Sequence, residues 1–152
     1  MIFQHTWEQV LDGSKTQTRR LALMQDTFDC SHYLNLLVGS PADGYGTFAY
    51  GVDTVRRAGR TVFYRGQSRA VQPGRGKGAV GRILITGIWL HRPQDITEDD
   101  CWAEGISRGS GQLETELPRF HFMALWDTIH DKRGERWADN PLVWILTFTL
   151  ED

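Results

Sequence analysis

Residues 6–20 read TWEQVLDGSKTQTRR, and this stretch decides how the chain begins to fold. Thr6 and Gln9 have the spacing of a capping box, in which each side chain satisfies a free backbone amide at the start of a helix. Apolar residues then recur at i, i+3 and i+4, which gives the helix one apolar face. Gly13 supplies the stop, because glycine readily adopts the left-handed backbone that ends helices. The pattern predicts a two-turn helix, followed by a basic, hydroxyl-rich loop over residues 14–20.

The strongest strand signals lie in the second half of the chain. Runs of β-branched, aliphatic and aromatic residues predict strands at about 61–65, 68–72 and 79–90. A glycine-rich basic loop, residues 73–78, separates the last two. Residues 142–150 alternate as a closing strand with one strongly apolar face. Residues 24–60 carry mixed signals and receive no assignment apart from a loop at 40–44.

Two further helices complete the predicted set. Thr97 begins a second capping signature, with acids in its first turn, and that helix ends at Gly105. Apolar residues at i, i+3, i+4 and i+7 predict a helix over residues 118–130, with Pro118 at its first position. The tryptophans of the second half are predicted to be core residues rather than a ligand platform: Trp126, Trp137 and Trp144. Helices and strands mixed in this way predict an α+β fold.

Length and composition set the class of protein. A chain of 152 residues, 40% of them hydrophobic, predicts one globular domain over residues 1–152. No apolar run is long enough to span a membrane. The first residues lack the charged start and apolar core of a signal peptide, which favours a cytoplasmic protein. Cys30 and Cys101 fit two reduced thiols there, although a single bridge between them remains open.

The familiar metal and nucleotide motifs are missing from the sequence. Neither cysteine belongs to a CxxC pair, and no two histidines have the spacing of a zinc protease. His5, His32 and His91 are therefore predicted to be ordinary surface or core histidines. A GxGxxG occurs at residues 76–81, but it leads into a strand-like run rather than a helix, so no dinucleotide is expected. We predict no metal and no cofactor.

The charge is unevenly spread along the chain. Nine basic residues and no acidic ones occur between residues 54 and 92. Most are arginines, whose planar donors suit phosphates and bases, and Phe63 and Tyr64 lie among them. This block is either a solvated face or a nucleic-acid surface, with Arg65, Arg69, Arg75 and Lys77 as the candidate contacts.

The segment GSKTQTRR at residues 13–20 resembles the GxKTxTxR signature of the ASCH family, whose fold is similar to PUA domains. Later segments resemble the family in the same order: residues 70–77, 95–100, 103–106 and 140–144. The likeness is to stand-alone bacterial and phage ASCH proteins. It implies a small β-barrel with helices packed at one side and a cleft between them.

The resemblance also implies a function. ASCH domains were proposed to bind RNA, some bacterial members hydrolyse the acetyl amide of acetylcytidine, and at least one is described as a ribonuclease. The Lys-Thr-Glu set of the amidohydrolase corresponds to Lys15, Thr18 and Glu104 here. The expected contacts to RNA, to a single strand or to a modified nucleoside come from this motif and the basic block: Thr16, Arg19, Arg20, Arg65, Arg69, Arg75 and Lys77.

The residue types suit that chemistry. Burial and nearby Arg19 and Arg20 both lower the pKa of a lysine, so Lys15 could take the proton of the Thr18 hydroxyl. Glu104 ends a short helix, where the negative dipole end raises a carboxyl pKa and favours a proton donor. Each residue also has a simpler interpretation: a phosphate contact for Lys15, a turn-capping hydroxyl for Thr18, and an arginine partner for Glu104.

Three functions follow from the sequence. The first is binding of nucleic acid, above all RNA, or of a modified pyrimidine in a cleft rich in lysine and arginine. The second is metal-independent hydrolysis of an acetylcytidine-type nucleoside by Lys15, Thr18 and Glu104. The third is a metal-independent ribonuclease in which Lys15, Arg19 and Arg20 polarise a phosphate. Binding is the preferred interpretation, because it needs the fewest coincident features.

Overall fold

A computed structural model describes residues 1–30, 37–39, 51–106 and 117–152. For residues 37–39 it describes only the backbone. Three α-helices, two short 3-10 helices and eight strands occur in this part of the chain. The helices are α1 (Trp7–Asp12), α2 (Glu98–Ala103) and α3 (Pro118–Ile129). The strands are β1 (Gln17–Leu21), β2 (Asp26–Cys30), β3 (Leu37–Gly39), β4 (Thr54–Arg57), β5 (Arg60–Tyr64), β6 (Ser68–Val71), β7 (Gly81–His91) and β8 (Val143–Glu151).

The strands form two antiparallel sheets that share one core. The first sheet has the order β1-β8-β7-β6, and the second has the order β3-β2-β4-β5. Backbone hydrogen bonds join them, from the Val52 amide to the Ile88 carbonyl (2.8 Å) and from the Gly66 amide to the Ile85 carbonyl (2.8 Å). The joined sheets curl into a half-barrel, and α1, α2 and α3 complete an α+β fold, as the sequence predicts.

The core between the sheets is built on the alternation of β7 and β8. Ile85, Ile88, Leu90, Trp144 and Leu146 lie there with Phe28 and the valines of the second sheet, all nearly inaccessible to water. A smaller apolar cluster lies under α1, and a third lies under α2 and α3. Burial of this apolar surface is the main force that holds the helices on the half-barrel.

One glycine in β7 changes which side chains face the core. The register with β8 shifts between Ile85 and Gly87, so the buried positions switch from odd to even numbers at this bulge. A Cβ built on Gly87 would lie 2.3 Å from the Trp89 ring and 2.7 Å from the Thr147 hydroxyl. Only glycine fits this close approach.

A buried carboxylate ties the two sheets together. Asp26 is fully buried and accepts bonds from Arg57 Nε (2.8 Å), Trp144 Nε1 (2.9 Å) and the Leu23 amide (2.9 Å). Burial raises the pKa of the Asp26 carboxyl, but these donors lower it more, so that its net shift is downward.

Most predicted elements agree with the structure. Thr97 and Asp100 form the reciprocal capping box expected at α2, and Pro118 begins α3. Cys30 and Cys101 are free and buried. Among the described residues, no helix is long and apolar enough to cross a membrane. The GxGxxG precedes β7 and no helix, because Gly81 opens that strand.

Several sequence predictions were wrong. Thr6 makes no capping bond from its side chain, so the first capping box does not form. The predicted loop at 14–20 is a strand from Gln17 onward, because β8 offers β1 a pairing edge. At the end of β8, Leu150 is exposed although the alternation had placed it in the core.

The remaining sequence predictions concern residues 24–60 and Trp137. Three strands, β2, β3 and β4, occupy parts of residues 24–60, which had received no assignment. The predicted loop at 40–44 and His32 lie outside the described residues. Trp137 is half-buried and packs on Phe122 at the edge of the third cluster, with ring centroids 6.0 Å apart.

Candidate functional site

A cavity of about 570 Å³ lies between the first six residues, β1, β6, the end of α2 and α3. Its size falls in the range of pockets that hold small ligands. Lys15, Thr18, Arg19, Arg20 and Glu104 all line it, so the structure brings the motif and Glu104 to one place. This is the cleft between barrel and helices that the resemblance implies.

The turn after α1 directs Lys15 into this cavity. Gly13 caps the helix, and the next backbone bonds run from the Lys15 amide to the Gln9 carbonyl (2.9 Å) and from the Thr16 amide to the Ala103 carbonyl (2.8 Å). The second bond fixes the motif to the end of α2. Gly105 packs against the Lys15 side chain. Its φ of +89° is a backbone conformation that residues with a side chain rarely adopt.

The buried end of the cavity is a cluster of two cations and one carboxylate. Lys15 Nζ lies 2.8 Å from Glu104 Oε2, and it also donates to the Glu104 backbone carbonyl. Arg19 Nη1 lies 2.9 Å from the other oxygen of Glu104, and Arg19 Nη2 lies 3.3 Å from Asp100. Lys15, Arg19 and Glu104 are each 4% exposed. The simpler interpretation of Glu104, as an arginine partner, is therefore realised through Arg19.

Burial lowers the pKa of Lys15, and the positive charges of Arg20 and Arg19 lower it further. The Glu104 carboxylate acts in the opposite direction but does not outweigh burial. The direction agrees with the sequence prediction, although burial contributes more than the arginines do. Lys15 is thus easier to deprotonate than an exposed lysine.

Thr18 lies on β1 at the same end of the cavity and is 2% exposed. Within the part of the chain that the structure describes, its hydroxyl makes no hydrogen bond. Lys15 Nζ is engaged by Glu104, so the bond from Thr18 to Lys15 that a nucleophile and its base require is not formed here. A ligand could rearrange these groups, since catalytic bonds often tighten on binding.

Two more arginines line the less buried part of the cavity. Arg20 donates to the carbonyls of Ile2 (2.9 Å) and Arg19 (3.3 Å), and its guanidinium lies 5.3 Å from the centre of the Phe3 ring. Arg69 comes from β6 and is half-buried. Among the described residues, no carboxylate forms an ion pair with Arg20 or Arg69.

Helix α3 supplies the apolar wall of the cavity. Phe122, Leu125, Trp126 and Ile129 line it, and the His130 ring stacks on Trp126 with centroids 4.1 Å apart. Trp126 is 3% exposed, so it belongs to the core as predicted and also faces the cavity. Sequence reasoning missed this second role and His130, because apolar spacing on a helix does not distinguish a core face from a cavity wall.

The basic block does not form one continuous surface. Four of its arginines are paired with carboxylates: Arg56 with Asp29 (3.2 Å), Arg57 with Asp26 (2.8 Å), Arg65 with Asp53 (3.2 Å) and Arg82 with Glu151 (3.7 Å). Of the predicted nucleic-acid contacts, Arg19, Arg20 and Arg69 line the cavity. Thr16, Arg65, Arg75 and Lys77 do not, and Arg75 and Lys77 are exposed on the loop between β6 and β7.

Of the three histidines predicted to be ordinary surface or core residues, two lie in the described part of the chain. His5 is exposed at the cavity, and His91 is half-buried on β7, where burial lowers its pKa. In the described ranges, no three histidine, cysteine or acidic side chains come together in a way that could hold a metal ion.

Comparison with solved structures places the fold. A crystal structure of a protein from Enterococcus faecalis V583, assigned to the family model DUF984, superposes with a TM-score of 0.53 at 13% identity, over 96% of this chain and 69% of that one. An ASCH domain from Lactobacillus crispatus JV V101 gives a TM-score of 0.48 at 17% identity, over 95% of this chain and 69% of that one. No family model matches the chain, and a search of curated proteins finds no match.

The half-barrel, the helices on one side and the cleft are the features that the sequence resemblance implies. With the likeness to the Enterococcus faecalis protein, they confirm the expected α+β fold, with helices packed at one side of a curled sheet. At these identities the likeness concerns the fold alone.

Proposed function

We propose that this chain binds a pyrimidine nucleoside, free or as one unit of a single-stranded RNA, in the cavity between β1, β6 and α3. The observation that carries the proposal is the composition of this cavity. A wall of Phe122, Trp126 and Ile129 faces a polar end made of Lys15, Thr18 and Glu104. A pyrimidine ring fits such a site, because its flat faces stack on the aromatic wall while its polar edge forms hydrogen bonds with the polar end.

The polar end offers both kinds of hydrogen-bonding partner. Thr18 carries an unengaged hydroxyl, which can donate and accept. The Nε of Arg19 is buried and has no partner among the described residues. A buried donor without a partner costs free energy, so a carbonyl oxygen of a bound ring would stabilise this site. A cavity of about 570 Å³ admits one nucleoside and excludes a duplex.

The direct test is calorimetric titration with cytidine, acetylcytidine and uridine. Thr18→Val keeps the shape of the side chain and removes the hydroxyl, and we expect it to weaken binding about tenfold, the effect of one lost hydrogen bond of ordinary strength. Thr61→Val is the matched control, since Thr61 is exposed on β5 and outside the cavity. No saturable binding of any of the three nucleosides would refute the proposal.

A second candidate function is hydrolysis of the acetyl amide of acetylcytidine. It is favoured by the lowered pKa of Lys15 and by the unengaged Thr18 hydroxyl in the same cavity. Neutral Lys15 would take the proton of Thr18, whose oxygen would attack the acetyl carbon. The proton would then pass to the departing amine, and water would release acetate from Thr18. This route requires Lys15 Nζ to turn from Glu104 toward Thr18.

Acetate release over time separates this candidate from binding alone. Lys15→Arg keeps the charge but cannot act as a base, because a guanidinium stays protonated. We expect Lys15→Arg and Thr18→Val to abolish turnover and Thr18→Ser to retain some. Absence of acetate release by the wild type, or full activity of Lys15→Arg and Thr18→Val, would rule out the enzyme.

A further inference from the structure

Arg20 and Arg69 form an arrangement that the binding of a neutral nucleoside does not explain. Both side chains line the cavity, and they come from β1 and β6, strands at opposite edges of the first sheet. Burial lowers the pKa of Arg20, the Glu104 carboxylate raises it, and the positive charge of Arg69 lowers it. Because both guanidinium groups line one cavity, an anion bound there would be attracted by both of them.

The Glu104 carboxylate acts on Arg20 electrostatically, but its two oxygens are bonded to Lys15 and Arg19. Glu104 is held by Lys15 at 2.8 Å and by Arg19 at 2.9 Å. Arg20 donates only to backbone carbonyls among the described residues, which carry no net charge. The cavity is lined by one lysine, three arginines and one carboxylate, and among these groups the excess positive charge lies at Arg20 and Arg69.

The exposure of the lining residues separates the cavity into two parts. Lys15, Thr18 and Glu104 are almost completely buried, whereas Arg20 and Arg69 are half-buried and thus nearer to solvent. With a ring at the buried end, the sugar would occupy the more exposed part of the cavity, which Arg20 and Arg69 line. Arginine is suited to this place, because its planar donors match the oxygens of a phosphate.

We infer that Arg20 and Arg69 form a phosphate site at the open part of the cavity, so that the ligand is a pyrimidine nucleotide rather than a nucleoside. The inference rests on the proposed function, since it assumes that the base occupies the buried end. The phosphate comes from a free mononucleotide or from the backbone of a single strand. Both sources present the same oxygens to the two guanidinium groups.

The test compares ligands by calorimetry at constant ionic strength. The probes are cytidine, cytidine 5′- and 3′-monophosphate, a cytidine dinucleoside monophosphate, and inorganic phosphate. We expect at least one cytidine monophosphate to bind about tenfold or more tightly than cytidine, as charge-assisted contacts provide. Stronger binding of the dinucleoside monophosphate than of the mononucleotides would identify a strand as the source, and the reverse would identify a free nucleotide.

Variants assign the effect to the two arginines. Arg69→Gln should reduce the preference for nucleotide over nucleoside to near unity, while Arg69→Lys should retain part of the preference. Arg60→Gln is the matched control, because Arg60 is exposed on β5 and outside the cavity. Thermal unfolding of each variant establishes that it is folded before titration.

The outcomes distinguish this inference from the proposed function. Binding of cytidine with no gain from any phosphate would overturn the phosphate site and leave nucleoside binding intact. If no nucleoside or nucleotide binds, the proposed function fails. Inorganic phosphate binding that Arg69→Gln abolishes would then still support the anion site, and absence of such binding would overturn it.

Discussion

Substitution of Glu104 by Gln gives the sharpest test of the buried charge cluster. The side chain keeps its size but loses the charge that faces Lys15 Nζ at 2.8 Å and Arg19 Nη1 at 2.9 Å. Arg19 retains Asp100 at 3.3 Å, whereas Lys15 loses its carboxylate partner and keeps the backbone carbonyl of residue 104. The unpaired charge of Lys15 therefore accounts for most of the expected loss in the free energy of unfolding.

Removing one partner of a buried ion pair costs about 3–5 kcal/mol, because a charge remains in a site with little water. We expect about 3 kcal/mol, the lower end, since the remaining carbonyl still accepts a bond from Lys15. For a domain of this size, that loss lowers the unfolding midpoint by about 6–12 °C. Glu98→Gln is the matched control on the same helix, because Glu98 is exposed in the first turn of α2 and should cost less than about 1 kcal/mol.

The pH dependence of this loss of stability tests whether the charge of Lys15 causes it. Without Glu104, the pKa of Lys15 falls further, because that carboxylate is the main group that holds it up. Between the new folded pKa and the wild-type folded pKa, the variant holds Lys15 neutral while the wild type still protonates it. The stability deficit should therefore shrink as pH rises through this window. Urea unfolding at several pH values measures it, and a deficit below 1 kcal/mol at neutral pH, or one independent of pH, would refute the reasoning.

Three further expectations concern the core and the exposed loop. Asp26→Asn should cost about 2–3 kcal/mol in urea unfolding at neutral pH, for lost bonds to a charged group. Because the folded pKa of Asp26 is below 3.8, this deficit is present above pH 3.8 and disappears as pH falls through the folded value. Gly87→Ala should cost about 1–3 kcal/mol in thermal unfolding, because its Cβ meets the Trp89 ring. If a bound strand also crosses the β6–β7 loop, Arg75→Ala with Lys77→Ala should reduce the salt slope of RNA binding by about one per lost contact, whereas an unchanged slope would leave these charges as solvated.

The fold was predictable where local patterns and tertiary packing agree. The capping box at Thr97 satisfies backbone groups of its own turn, so the sequence of residues 97–100 is enough to predict it. The same pattern at Thr6 failed, because the backbone before it is fixed by contacts just beyond the end of β6, such as the bond from the Phe3 amide to the Gln72 carbonyl (2.9 Å). Strand β1 was missed for a related reason. Its polar sequence is a strand only because β8 pairs with it.

The site was predictable in membership but not in arrangement. The motif and its spacing identified Lys15, Thr18 and Glu104, and the structure brings all three to one cavity. The ion pair between Lys15 and Glu104 joins residues 89 positions apart, a distance over which spacing in the sequence contains no geometry. The pairing of Arg65 with Asp53 likewise depends on how two strands meet. The sequence of a charged segment gives its formal charge, but only the fold shows which of those charges form ion pairs.

The place of β1 in its sheet bears on how the molecule assembles. Thr18 pairs with Leu146, and in the described sheet β8 is the single neighbour of β1. The ribosome adds residues in order, so β1 stays without this neighbour until residues up to β8 have been made. Contacts between such distant residues form slowly, because a long loop must close before they give any stabilisation. We therefore expect nascent and truncated chains to leave this polar edge strand unpaired, and ligand binding to begin only in the last stage of folding.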